Sequence, residues 1–176
     1  MECGAGEATT AESQSYPHPT TIVNVEIRRA TLHNADLVRS ITRTVYVDEG
    51  WATSPGYIEQ LLDVESRIVQ CTVLLADDVG TVTVIHPPHP IANIAHADEI
   101  EVRMLCVLPQ ARGRGVAQAL MKAAEAMAVS RVVLSTSAAM VAAQRLYEGL
   151  GYVRTPQRDW EIHGERLLTY AKAVAD

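Results

Sequence analysis

Val107-Leu-Pro-Gln-Ala-Arg-Gly-Arg-Gly-Val-Ala117 decides how this chain is read. A run of apolar and charged residues ends at Pro109, a Gly-rich turn follows from Gln110 to Gly115, and a strongly amphipathic stretch begins at once. Strand, tight turn and helix in that order leave the first backbone N–H groups of the helix without partners and aimed at one spot. The helix dipole adds partial positive charge there, which suits a phosphate or pyrophosphate. Gly113 and Gly115 lack a Cβ and let the backbone close around an anion. Arg112 and Arg114 bring cations beside it. The stretch therefore implies a phosphate-bearing cofactor.

The rest of the chain supplies a fold around that turn. Residues 1–20 are small, polar and Pro-containing, and read as a disordered tail ahead of one domain over 21–176. Ile22–Arg28 alternates as a first strand, and Thr31 can cap a helix carrying Leu37, Val38, Ile41 and Val45 on one face. Gly and Pro break the segment Tyr46–Tyr57, and a short helix follows over Tyr57–Val64. Cys71–Ala76 and Thr81–Ile85 pair as a hairpin across Asp77–Gly80, and Glu99–Leu108 is a longer strand. Val116, Leu120, Ala123, Ala124 and Met127 form a buried stripe. A short strand over Arg131–Ser135, a helix over Ala138–Leu150 stopped by Gly151, and late strands near Tyr152, Asp159–Ile162 and Leu167–Lys172 complete the order. Hairpins mixed with crossovers predict an α/β fold with a mixed sheet and helices on both faces.

Composition narrows the partners. With 176 residues and 48% apolar content the chain can bury one proper core. A formal net charge of −6 argues against nucleic acid. No apolar run approaches the ~18 residues of a membrane span, and the N-terminus has no signal-peptide pattern. Cys3, Cys71 and Cys106 are few and not in metal-ligand spacing, which points to a reducing, cytoplasmic setting. His86, His89 and His96 lie in a Pro-rich stretch without a third ligand at useful spacing, so no metal is expected.

Three phosphate-binding readings compete at the glycine turn. A nucleotide P-loop needs Lys-Ser/Thr after its last glycine, and here Val116-Ala117 follows Gly115. A dinucleotide fingerprint needs a third glycine where Gln118 stands. Gln110-x-x-Gly113-x-Gly115, by contrast, resembles the Gln/Arg-x-x-Gly-x-Gly/Ala signature of the GNAT (GCN5-related) acetyltransferases. Glu101–Pro109 is similar to the family's fourth strand, with its terminal Val-x-Pro, and Ala142-Ala-Gln-Arg-Leu-Tyr-Glu-Gly-Leu-Gly-Tyr152 to its second signature. The resemblance spans about residues 22–173.

The resemblance implies a six- to seven-stranded sheet splayed between its fourth and fifth strands, with about four helices. It implies acetyl-CoA as co-substrate, its pyrophosphate on backbone amides from Arg112 through Gly113, Arg114, Gly115 and Val116 to Ala117, with Gln110 in the motif. Pantetheine would run along Leu105, Cys106 and Val107, and Met140, Ala143 and Tyr147 would face the cofactor. Tyr147 matches the family's tyrosine general acid, whereas Met140 stands where an Asn often contacts the cofactor. Glu101 is close to where some members keep a glutamate base; the competing reading pairs it with Arg103. Strand alternation sets Glu99, Glu101 and Arg103 on one face and Val102, Met104 and Cys106 on the other.

An amine acceptor, small molecule or peptide, would lie among Tyr46, Trp51, Tyr57, Arg103 and Trp160. A homodimer through the late strands is common in similar folds. Two competing functions are a non-catalytic acyl-CoA-binding module and a transferase using another donor such as succinyl-CoA, with Arg103 as the partner for the extra carboxylate.

Overall fold

Two aspartates set the first hairpin. Asp77 and Asp78 take φ of 42° and 56° between β2 (Thr72–Ala76) and β3 (Gly80–Ile85). Left-handed backbone at both central positions matches the right-handed twist of paired strands, and Asp tolerates it. Every residue of β2 and β3 is buried, as strands covered on both faces must be. Leu74, Ala76, Val82 and Val84 feed one core cluster, and Val73 and Leu75 feed another behind the sheet.

The computed structural model describes residues 25–162 and 164–174. The expected tail and the start of the expected first strand lie outside the described residues, and β1 spans only Ile27–Arg29. After a single 3₁₀ turn, α1 (Ala35–Thr42) buries Val38 and Ile41 and widens into π-helical turns over Arg43–Asp48. Then α2 (Pro55–Leu62) ends at Asp63. The Asp63 carboxylate accepts from Ser66 N–H at 3.4 Å and starts a further helix, α3 (Val64–Gln70). The sequence reading missed α3 by stopping at Val64. β4 (Glu99–Val107), α4 (Val116–Glu125), β5 (Arg131–Ser137), α5 (Val141–Gly149), β6 (Val153–Arg154), β7 (Trp160–Ile162) and β8 (Glu165–Ala173) follow. Gly151, at φ 85°, ends α5 as expected.

The described residues thus hold eight strands and five α-helices, more than the six to seven and about four expected. The late region splits into three short-to-long strands, because β6 and β7 both pair with β8. The sheet runs β1-β2-β3-β4-β5-β8-β6 and is antiparallel except where β4 meets β5. α4 packs with the first core cluster, and α1 and α3 cover the opposite face. No helix among the described residues is long and apolar enough to cross a membrane.

Two irregularities in β4 position the site. Its parallel pairing with β5 runs from Glu99↔Arg131 to Val102↔Leu134 and then stops, although both strands continue to Val107 and Ser137. The expected splay is therefore present. The second irregularity overturns an expectation. Met104 has φ 54°, and the β3 register passes from Thr83↔Arg103 to Thr81↔Cys106. Two steps on β3 take three on β4, which is a β-bulge. Side-chain parity resets there, so Val102 faces the α4 core whereas Met104 and Cys106 face the opposite side. Regular alternation had put all three on one face.

Candidate active site

Where β4 and β5 part, a cleft of about 780 Å³ opens. The hydrogen-bonding groups that would have joined the two strands face this gap, and backbone groups without a strand partner need another one. Ser135, Thr136 and Ser137 line the cleft from the β5 side, with Leu105 and Val107 on the β4 side. The reading that ended β5 at Ser135 left out this polar wall.

At one end lies the start of α4. Gly113 and Gly115 adopt φ of 73° and 82°. A Cβ on Gly113 would meet nothing within 4 Å, and one on Gly115 would reach only the Gln118 Oε1 at 3.9 Å. Backbone conformation, not space, is what demands glycine at both. Ala119 N–H bonds Gly115 O at 2.9 Å, so the amides ahead of Ala119 open the helix toward the cleft. Gly113, Gly115, Val116 and Ala117 line it as expected. Gln110 and Arg114 do not; both are exposed, and Gln110 sits in a single 3₁₀ turn whose buried member is Ala111. Arg112 does line the cleft. Its Nε donates to Val107 O at 3.1 Å and its Nη2 pairs with Glu49 at 2.5 Å, tying the glycine turn to the end of the π-helical segment.

Tyr147 lines the middle of the wall formed by α5, with Met140, Ala143 and Leu146. Its ring packs edge-on to Tyr152 at 6.0 Å and tilted to Tyr170 at 6.1 Å. The side chain is 7% exposed, and burial drives its phenol well above the ordinary tyrosine range. The Cys106 side chain, expected near the cofactor, is not in the cleft. The bulge turns it into the core behind the sheet, and burial pushes its thiol up to about 12.

Glu101 is placed differently from a base. It is fully buried and does not line the cleft. Its Oε2 accepts the backbone N–H groups of Asn93, Ile94 and Ala95 at 2.8, 2.9 and 3.3 Å. Its Oε1 lies 3.9 Å from Arg103 Nε, so the pairing with Arg103 is the arrangement present, although too long for a hydrogen bond. Arg103 Nη1 in turn donates to Ile91 O at 2.8 Å.

The five expected acceptor residues do come together: Tyr46, Trp51, Tyr57, Arg103 and Trp160 all line the cleft. A side chamber of about 240 Å³ opens among Trp51, Tyr57, Arg103 and Trp160, with Glu165 and Leu167 from the start of β8. Burial raises the Tyr46 and Tyr57 phenols, and nearby Arg103 opposes the shift in both. Behind Met104, the buried Arg67 donates to Leu61 O at 3.3 Å and to the Thr42 hydroxyl at 3.2 Å, bracing the bulge from α1 and α2. Burial lowers the Arg67 pKa. Nothing in a helical Val-Glu-Ser-Arg-Ile run marks that arginine as buried. Among the described residues no group of three or more His, Cys, Asp and Glu side chains could hold a metal ion.

An open mixed sheet, parted between two parallel strands over a glycine turn and a buried tyrosine, defines an acyltransferase architecture. The sequence profile of the acetyltransferase (GNAT) domain matches residues 69–154. The chain shares its fold with a GNAT-family protein of Desulfovibrio desulfuricans, at 18% identity and TM-score 0.66 over 86% of this chain and 99% of that one. It likewise matches an acetyltransferase of the GNAT family from Staphylococcus aureus Mu50, at 13% identity and TM-score 0.64 over 85% and 98% of the two chains. The NatC complex bound to Gag peptide and CoA aligns at 14% identity and TM-score 0.58, over 86% of this chain and 99% of that one. No curated protein matches in sequence. The chain belongs to the GNAT superfamily and is an acyltransferase.

Proposed function

We propose that this enzyme moves the acetyl group of acetyl-CoA to the amine of a small-molecule or peptide acceptor, by direct attack in a ternary complex. One observation carries the reading: the glycine turn, the unpaired edges of β4 and β5, and the Tyr147 ring line a single cleft. The CoA held by the NatC neighbour supports the choice of cofactor.

In this reading the pyrophosphate rests on the amides between Arg112 and Ala117, with Arg112 as its cation. Pantetheine lies along Leu105–Val107 as an added strand, taking up the groups left open by the splay. A backbone N–H near Leu105 receives the negative charge that develops on the thioester oxygen. The amine nitrogen bonds to the carbonyl carbon, and the C–S bond breaks. The Tyr147 hydroxyl gives its proton to the departing thiolate and regains one from solvent. Burial keeps that phenol protonated through the whole working range, and the same dry surroundings make the thiolate a stronger base. The amine's surplus proton leaves to water at the open acceptor end, since Glu101 is spent on the 93–95 amides.

Tyr147→Phe deletes one hydroxyl and keeps the ring packing. It is expected to lower kcat by about 10²-fold or more while CoA affinity holds. Wild-type turnover in this variant removes Tyr147 from the chemistry. Absence of any calorimetric heat on adding CoA to the wild-type protein removes the cofactor and the reading with it.

A further inference from the structure

The acceptor chamber carries a fixed cation, which a simple ammonium substrate has no use for. Its volume of about 240 Å³ equals about eight waters of liquid, room for a small molecule. Trp51, Tyr57 and Trp160 give it flat apolar walls. Arg103, 14% exposed, is held in a built socket. The Asn93, Ile94 and Ala95 amides anchor their loop on Glu101, and that loop presents the Ile91 carbonyl to Arg103 Nη1 at 2.8 Å. Glu101 Oε1 stands 3.9 Å from Nε and compensates the charge without consuming the donor. Nη2 makes no hydrogen bond among the described residues. A guanidinium fixed by one edge, with the other edge free in an aromatic chamber, is a carboxylate receptor. Trp160, in the same wall, has its indole N–H buried without an acceptor. Among the described residues, Glu165 is the one carboxylate lining this chamber, a counter-charge for an ammonium.

We infer that the acceptor is a zwitterion, a small amino carboxylate with an aromatic or large apolar body, whose carboxylate is bound by Arg103. The inference rests on the acyl-transfer reading above and narrows it. Glu101 becomes a positioning residue for Arg103: through the 91–95 loop it sets where the guanidinium points.

The test uses matched pairs that differ only in the carboxylate: L-phenylalanine against phenethylamine, and L-tryptophan against tryptamine. Thiol release from acetyl-CoA is followed for each, with rates compared on the unprotonated amine. The full-length enzyme is expected to favour the amino acid of each pair at least tenfold in kcat/KM. Arg103→Gln should erase the preference through KM, and Arg103→Lys should restore part of it. Equal or reversed preference in the wild type, which needs no variant to fold, overturns the inference while acyl transfer stands. If neither member of a pair turns over, calorimetry on the enzyme–CoA complex decides: amino-acid binding that Arg103→Gln abolishes supports it, and no amino-acid binding overturns it. Failure of CoA itself to bind is a different result and strikes the underlying reading.

Discussion

Gly80→Ala tests whether the sheet sets the position of the cofactor turn. Gly80 opens β3 directly beneath the first turn of α4. A Cβ there would stand 2.8 Å from Val116 Cγ1, 3.2 Å from Leu120 Cδ1 and 3.2 Å from the Cys106 carbonyl oxygen. Carbon pairs prefer about 3.5–4.0 Å, so Val116 must retreat by roughly an ångström. The Cys106 carbonyl belongs to a strand paired on β3 and gives little, while Val116 and Leu120 are 4% and 0% exposed and have nowhere to swing. Overpacking of this kind costs about 1–3 kcal/mol. At about 2–4 °C per kcal/mol for a chain this long, Tm should drop by roughly 2–12 °C. Because Val116 begins α4, the displaced helix carries the open amides with it, and CoA binding should weaken as well. Thermal melts followed by circular dichroism, and calorimetric titration with CoA, measure the two effects. A variant with wild-type Tm and wild-type affinity refutes the close approach and the coupling together. Lower Tm with unchanged affinity refutes the coupling alone.

Glu49→Gln frees Arg112 from its partner. The pair is partly exposed, so its loss is worth about 0.2–1 kcal/mol, and CoA should bind up to about fivefold tighter, more so at low salt. Weaker binding in titrations would mean that Glu49 holds Arg112 in place instead of competing for it. Asp159→Asn probes the network beside β8. The Arg154 hydrogen bond, opposed by desolvation and helped by the Thr169 N–H, keeps the Asp159 carboxyl below the usual range. The folded value lies under the unfolded one, so the stabilisation is whole above the ordinary Asp pKa and fades as pH falls through the folded value. At pH 7 the variant should lose about 1–3 kcal/mol in urea melts, and the gap should close in strong acid; a gap independent of pH contradicts the assignment. Cys106, raised to about 12 by burial, should resist iodoacetamide at pH 8 in the native enzyme and react once the chain is unfolded. Native-state labelling at Cys106, seen by mass spectrometry, would show that the core behind β4 opens.

Much of this architecture can be read in the residues because local chemistry dictates it. Asp77-Asp78 permits only a tight hairpin, Gly113 and Gly115 require left-handed backbone, and Gly151 closes α5. Aromatics lodged in the Gly- and Pro-broken stretch 46–57 have no reason to be there unless they wall something, and three of them line the cleft. What escaped reading depends on distant backbone. A bulge at Met104 leaves no mark in Val-Arg-Met-Leu-Cys, so Cys106 was assigned to the wrong face. Glu101 looks like a base because a buried carboxylate in a central strand asks for a role. Its actual partners are main-chain amides of residues 93–95, and amides carry no signature in the sequence. Two short late strands went uncounted, or merged into one, because the β6 and β7 pairing partner, β8, supplies their order.

The reset in β4 has a consequence for how this enzyme can vary. Downstream of Met104, inward and outward positions are fixed by counting from an extra residue, so the segment up to Val107 should accept changes of letter far more readily than a change of length. Shortening it by one would restore an unbroken pleat, rotate Leu105 and Val107 out of the gap and bring the Cys106 thiol into it. The enzyme would keep nearly all of its amino acids and lose the surface on which its cofactor is proposed to lie.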